Sequence, residues 1–148
     1  MSDAQYGQMD DRAEVLGVVQ RAFDALDDGD EQTWGNLLLE DGIFSSVRDV
    51  NGARRIQTTT FGEHVARATA PNDDRVFLER MWEPTVLIDG DLAVVWTRYD
   101  FHLDGEFSHC GTDGVLLLRT DDGWRIASLA WTTEQDCEPS PLGPPPGA

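Results

Sequence analysis

The second half of the chain is punctuated by three Asp-Gly pairs, Asp89-Gly90, Asp104-Gly105 and Asp122-Gly123, each set between apolar runs. Asp-Gly supplies the positive φ angles that tight hairpin turns require. The four segments from Arg75 onward therefore read as an antiparallel β-meander. Pro84, inside the first of them, marks a bulge, a bend or an edge position, because proline cannot donate to a ladder. Long strands that bend curl a sheet, and a curled sheet capped by helices leaves a concavity.

The first half follows a helical period instead. Asp11 and Glu14 form a capping-box-like start; Leu16, Val19, Phe23 and Leu26 follow at helical spacing, and Gly29 ends the run. A short second helix is expected from Asp30 or Glu31, with Trp34, Leu37 and Leu38 on one side, ending by Gly42. Ile43–Val47 reads as a strand, and a third helix is expected from Thr60 to just before Pro71, carrying Phe61 and Val65 inward. The fold class is α+β, with three helices in the N-terminal half on a mainly antiparallel sheet. Residues 1–10 read as a flexible leader, 11–135 as one domain and 136–148 as a Pro/Gly-rich disordered tail.

Charge narrows the partners. Eleven basic residues, all Arg, face 28 acidic ones, a net charge of −17. Such a surface repels phosphate backbones and anionic lipid, so neither nucleic acid nor a membrane surface is an expected partner. Cys110 and Cys137 form no Cys-x-x-Cys pair, a disulfide is not expected, and the location implied is cytoplasmic. The N-terminus has no signal-peptide pattern, and no apolar run approaches the roughly 20 residues of a membrane span.

With each Asp-Gly as the two-residue centre of a hairpin, the register follows. Leu103 faces Glu106, Asp100 faces His109, Trp96 faces Asp113, and Glu83 falls opposite Trp96. Alternation along the strands then gathers Trp96, Arg98, Asp100, His102, His109 and Asp113 on one face, joined by Val115, Leu117, Trp124 and Ile126. An apolar wall with a few convergent polar groups suits a ligand pocket. Asp100 beside His109 would fix the imidazole tautomer for proton transfer, or would simply pin two strands. Trp96, Arg98, Asp113 and Glu83 are the candidate ligand-binding residues. Asp100, His102 and His109 share a face as a two-His, one-carboxylate set would, but no ligand-rich motif supports a metal, and no cofactor is expected. His64 reads as a surface residue, and Ser45 and Ser46 as local hydrogen-bonding groups.

Two stretches, AFDALDDGDEQTWGNLLLEDGIF and AVVWTRYDFHLDGEFSHCGTDGVLLLRTDDGWRIASL, resemble the nuclear transport factor 2-like (SnoaL-like) superfamily. The pattern W-x-x-Y-x-F, DG-x-F-S-H-C-G and GW-x-I resembles its putative lumazine-binding subgroup, and the resemblance covers most of Asp11–Thr133. It implies a cone, in which helices pack on a strongly curved sheet around a cavity, and a homodimer formed through the sheet. Isomerase-like members carry a tyrosine on the first helix and a carboxylate on the first strand. Here no Tyr lies between Val15 and Leu26, and Ser45 and Ser46 stand at the strand position, so that machinery does not transfer. The leading expectation is a domain binding a small molecule with an apolar or aromatic body. The alternatives are a cofactor-independent isomerase, dehydratase or cyclase using His109 and Asp100, and a dimerisation module with an interface around Tyr99, Leu129 and Trp131.

Overall fold

The computed structural model describes residues 3–63 and 75–146. Helix α1 spans Asp3–Asp28 and α2 spans Glu31–Leu37. No proline interrupts Asp3–Asp10, and α1 runs through them rather than starting at Asp11 after a separate leader. Its buried stripe is Val15, Val18, Val19, Ala22, Phe23 and Ala25. The Asp30 carboxylate caps α2 by accepting the Thr33 N–H at 3.1 Å, and Trp34 and Leu37 point into the core.

Six strands follow: β1 (Leu38–Val50), β2 (Ala53–Thr60), β3 (Phe77–Asp89), β4 (Leu92–Leu103), β5 (Glu106–Thr120) and β6 (Gly123–Thr133). They form one sheet in the order β2-β1-β6-β5-β4-β3. Every pairing is antiparallel except β1 on β6, which is parallel. The meander is thus as expected, and β1 is longer than the Ile43–Val47 segment. Strand β2 is an addition to the sequence reading. It is joined to β1 by Asn51-Gly52, with φ of 54° and 81°. At its end Thr60 and Glu63 form a capping box: the Glu63 N–H donates to Thr60 Oγ1 at 3.1 Å and the Thr60 N–H to Glu63 Oε2 at 3.4 Å. Phe61–Glu63 are helical and Phe61 is buried. His64, Val65 and the rest of the expected third helix lie outside the described residues.

The hairpin centres differ from the simple rule. Leu103 pairs with Glu106 as expected. However, Asp89 pairs with Leu92 and Thr120 with Gly123, so those turns are centred on Gly90-Asp91 and Asp121-Asp122. Three irregularities bend the meander: at Glu83-Pro84, at Ser108 and at Ala127. Each adds a residue or two to one strand and changes its twist. The resulting concave side holds the core of Ala93, Val95, Val115, Leu117, Trp124, Ile126 and Leu129 against α1, α2 and Phe44. Among the described residues no helix is long and apolar enough to cross a membrane.

The C-terminal segment is held in place rather than disordered. Cys110 pairs with Glu134 in a bridge beyond the end of β6, and three residues later Cys137 forms a disulfide with Cys110. The expectation of unpaired cysteines is thereby corrected: the extension of β6 along β5 sets the two Cα atoms 6.3 Å apart, within the span a disulfide bridges. Further on, Arg80 Nη2 donates to the Gly143 carbonyl at 2.9 Å, and Pro145 is buried.

Candidate functional site

The extra residue at Ser108 decides what faces the cavity. His102 pairs with Phe107, but Phe101 pairs with His109 and Asp100 with Cys110. Asp100 and His109 therefore lie on opposite faces of the sheet, and the expected pair does not form. The same shift sets Asp113 opposite Thr97 and leaves Trp96 opposite Gly114.

The convex face carries Trp96, Arg98, Asp100 and His102. Trp96 is 62% exposed there. Arg98 donates to Thr112 Oγ1 at 2.9 Å and lies 3.8 Å from Glu134. Asp100 accepts two bonds from Arg80, Nε at 2.9 Å and Nη2 at 2.6 Å, beneath the C-terminal segment. His102 Nδ1 lies 3.6 Å from Asp100, and burial lowers the imidazole's pKa. Glu83 sits exposed in the Glu83-Pro84 irregularity with φ of 53°, and Thr85 takes the place opposite Trp96. None of these five lines the concave cavity. The expected wall of Val115, Leu117, Trp124 and Ile126 is concave, with its back to Trp96. Cys110, Glu134 and Cys137 offer possible metal-ligand atoms within 4.8 Å of one another, but in this structure the two sulfurs are bonded to each other.

The concave side holds the cavity, about 1100 Å³ in volume. Aromatic rings of Phe23, Trp34, Phe44, Phe77, Phe101 and Trp131 form much of its wall. His109 stacks on Phe101 with centroids 5.0 Å apart, meets the edge of Tyr99 at 5.8 Å and shares a 3.0 Å hydrogen bond with Ser108 Oγ. Burial lowers the pKa of His109, which leaves it neutral at pH 7. The buried Tyr99 hydroxyl passes over Gly111, which has no side chain, and donates to the Thr132 carbonyl at 2.6 Å.

Carboxyl groups gather on the same side. Asp27, in the last turn of α1, accepts the Glu79 N–H with both oxygens at 3.2 and 3.1 Å. Burial, with smaller contributions from Asp24 and Asp28, pushes Asp27 up to about 7 against the opposing effect of that N–H. Glu79 lines the cavity; its removal from solvent, then the charges of Asp113, Asp27 and Asp100, raise it well above the usual carboxylate range. Asp113, in the cavity wall and 2% exposed, is pushed up by burial to about 8. Its Oδ2 has no hydrogen-bond partner among the described residues. The arrangement can offer a proton, accept one or hold a positive charge.

Of the residues singled out from sequence, the structure thus brings His109 and Asp113 to the cavity. Asp27 and Glu79 were missed. Their signal is a charge on an apolar stripe: Asp27 follows Phe23 by one helical turn, and Glu79 alternates with Phe77 and Met81.

Residues 10–132 match the family model described as "Putative lumazine-binding". The chain belongs to that family. Solved structures similar to this chain include proteins described as nuclear transport factor 2-like. One is a protein of that fold type, described as cystatin-like, from Novosphingobium aromaticivorans, at 18% identity and TM-score 0.68, covering 90% of this chain and 88% of the other. Another is a "putative dehydratase" from Streptomyces avermitilis, at 18% identity and TM-score 0.64, covering 84% and 96%. A third is the β subunit of a "putative aromatic-ring-hydroxylating dioxygenase" from N. aromaticivorans, at 16% identity and TM-score 0.68, covering 97% and 99%. These likenesses carry the fold. A comparison with curated proteins finds no match.

Proposed function

We propose that the chain binds a small molecule in the concave cavity, with the ligand's apolar or aromatic body against the rings and a polar group at Asp113. The observation that carries this is the buried Asp113 Oδ2, without a partner among the described residues and set in the wall of so large a cavity. Leaving such an oxygen unmatched is costly, and a bound donor removes that cost. Nile red, a neutral aromatic dye, tests the reading. Its fluorescence should rise on binding, and Ser46→Trp, which builds a ring into the cavity wall, should abolish the rise. Equal dye binding by Ser46→Trp would reject the cavity as the site.

A second reading is cofactor-independent proton transfer, supported by the Asp27 and Asp113 carboxyls at about 7 and 8, close to the working pH of a general acid or base. In it, Asp113 would itself be the acid or base, in place of the His109–Asp100 pair that the register separates. The homodimer remains a proposal resting on the resemblance. Because Tyr99 and Leu129 are buried on the concave side, its contact would be the convex face at Trp96; Trp96→Glu should then halve the mass in solution. The cytoplasmic location is proposed likewise. Alkylation in intact cells tests it, since a reducing cytoplasm leaves Cys110 and Cys137 as thiols, and full protection would point to an oxidising compartment.

A further inference from the structure

Asp49, Glu79, Asp113, Glu134 and Asp136 line the cavity, and Arg48 is the one basic side chain with them among the described residues. Arg48 sits exposed at the mouth beside Asp49, Glu134 and Asp136, whereas Glu79 and Asp113 lie deeper on β3 and β5, with Asp27 behind Glu79. The neutral His109 and the Tyr99 hydroxyl, committed to Thr132, add no cation. Among the described residues an anionic ligand would find no countercharge at the inner end. The aromatic wall favours the opposite sign, since the negative faces of aromatic rings attract ammonium groups, more strongly where water is excluded.

Resting on the cavity reading above, we propose that the ligand is an aromatic or alicyclic amine, bound as its ammonium cation with the charged nitrogen at Asp113 and Glu79. The unpartnered Asp113 Oδ2 is the acceptor this cation would satisfy. Burial raises both carboxyls, with the charges of Asp113 and Asp27 adding to the rise at Glu79, and so favours their neutral forms. A cation reverses that preference, so its binding releases a proton from the Asp113–Glu79 pair.

Three probes with one indole body separate the charges: tryptamine, tryptophol and indole-3-acetate. Titration calorimetry at pH 7 should show tryptamine binding at least tenfold tighter than tryptophol, with indole-3-acetate weakest. Repeating it in buffers of different ionisation enthalpy should show about one proton released with tryptamine and none with tryptophol. Asp113→Asn should cut the preference for tryptamine over tryptophol to under threefold; Glu79→Gln serves the same purpose if that variant fails to fold. Equal or tighter binding of tryptophol or indole-3-acetate would overturn the amine assignment and leave the cavity reading intact. So would an absence of all three while Nile red still binds. Failure of Nile red as well would remove the cavity reading and this inference together.

Discussion

Asp113→Asn tests the electrostatics of the cavity through stability alone. Asp113 holds its proton to about pH 8 in the folded chain, against 3.8 for an ordinary solvated aspartate. The folded state therefore binds more protons than the unfolded state between those values, and stability is greatest below pH 4 and falls as pH rises through 8. At about 1.4 kcal/mol per pH unit, this proton alone costs the folded state about 4 kcal/mol by pH 7. Asn has nearly the same shape and no titrating proton. In urea unfolding from pH 4.5 to 8.5, the variant should match the native chain at the acid end and exceed it by about 2–4 kcal/mol near neutrality. Asp27 and Glu79 are raised too, so the native profile slopes for more than one reason; the difference between the two curves isolates Asp113 and its repulsion of Glu79. Parallel curves, or a variant less stable at pH 8, would refute the argument that burial keeps this carboxyl neutral.

Three other expectations concern the frame around the cavity. A Cβ at Gly111 would land on the Thr132 carbonyl, so Gly111→Ala should destabilise by about 3 kcal/mol in thermal or urea unfolding; a neutral effect would contradict the close approach of β5 and β6. Arg80→Met leaves Asp100 buried without its bidentate partner and should cost about 3–5 kcal/mol. It also frees the Gly143 carbonyl, so limited proteolysis should cut the C-terminal segment faster; unchanged cleavage would argue against the clamp. Cys137→Ser opens a cross-link between residues 27 apart and should lower stability by about 3 kcal/mol under oxidising conditions, with no difference from the native chain once both are reduced.

Much of this frame was legible in the residues, for reasons that also explain the misses. The helices and the meander announce themselves through apolar periodicity and Asp-Gly, and Pro84 marked an irregularity that the structure contains. Strand β2 escaped because ARRIQTTT has one large apolar residue, Ile56, itself 73% exposed. An edge strand with no buried face shows no alternation, although Asn51-Gly52 was a turn signal as strong as the other three. The site was harder. Ser108 carries no mark of an irregular position, and one unpaired residue there moves His109 and Asp113 away from Trp96, Arg98 and Asp100. The disulfide depends on where the chain travels after Thr133, which no local pattern records.

That single residue at Ser108 gives β5 something like a reading frame. Upstream of it Phe107 shares the convex side with His102; downstream, His109 and Asp113 belong to the cavity. Removing Ser108 would straighten the hairpin yet leave every side chain on its present side, because Phe107 and His109 would then simply alternate. Inserting one residue between His109 and Asp113 would turn His109 to the convex face if the Asp113 end of the strand kept its pairing. In a sheet of this kind the contents of the cavity can be exchanged by changing a length, with no amino acid substituted.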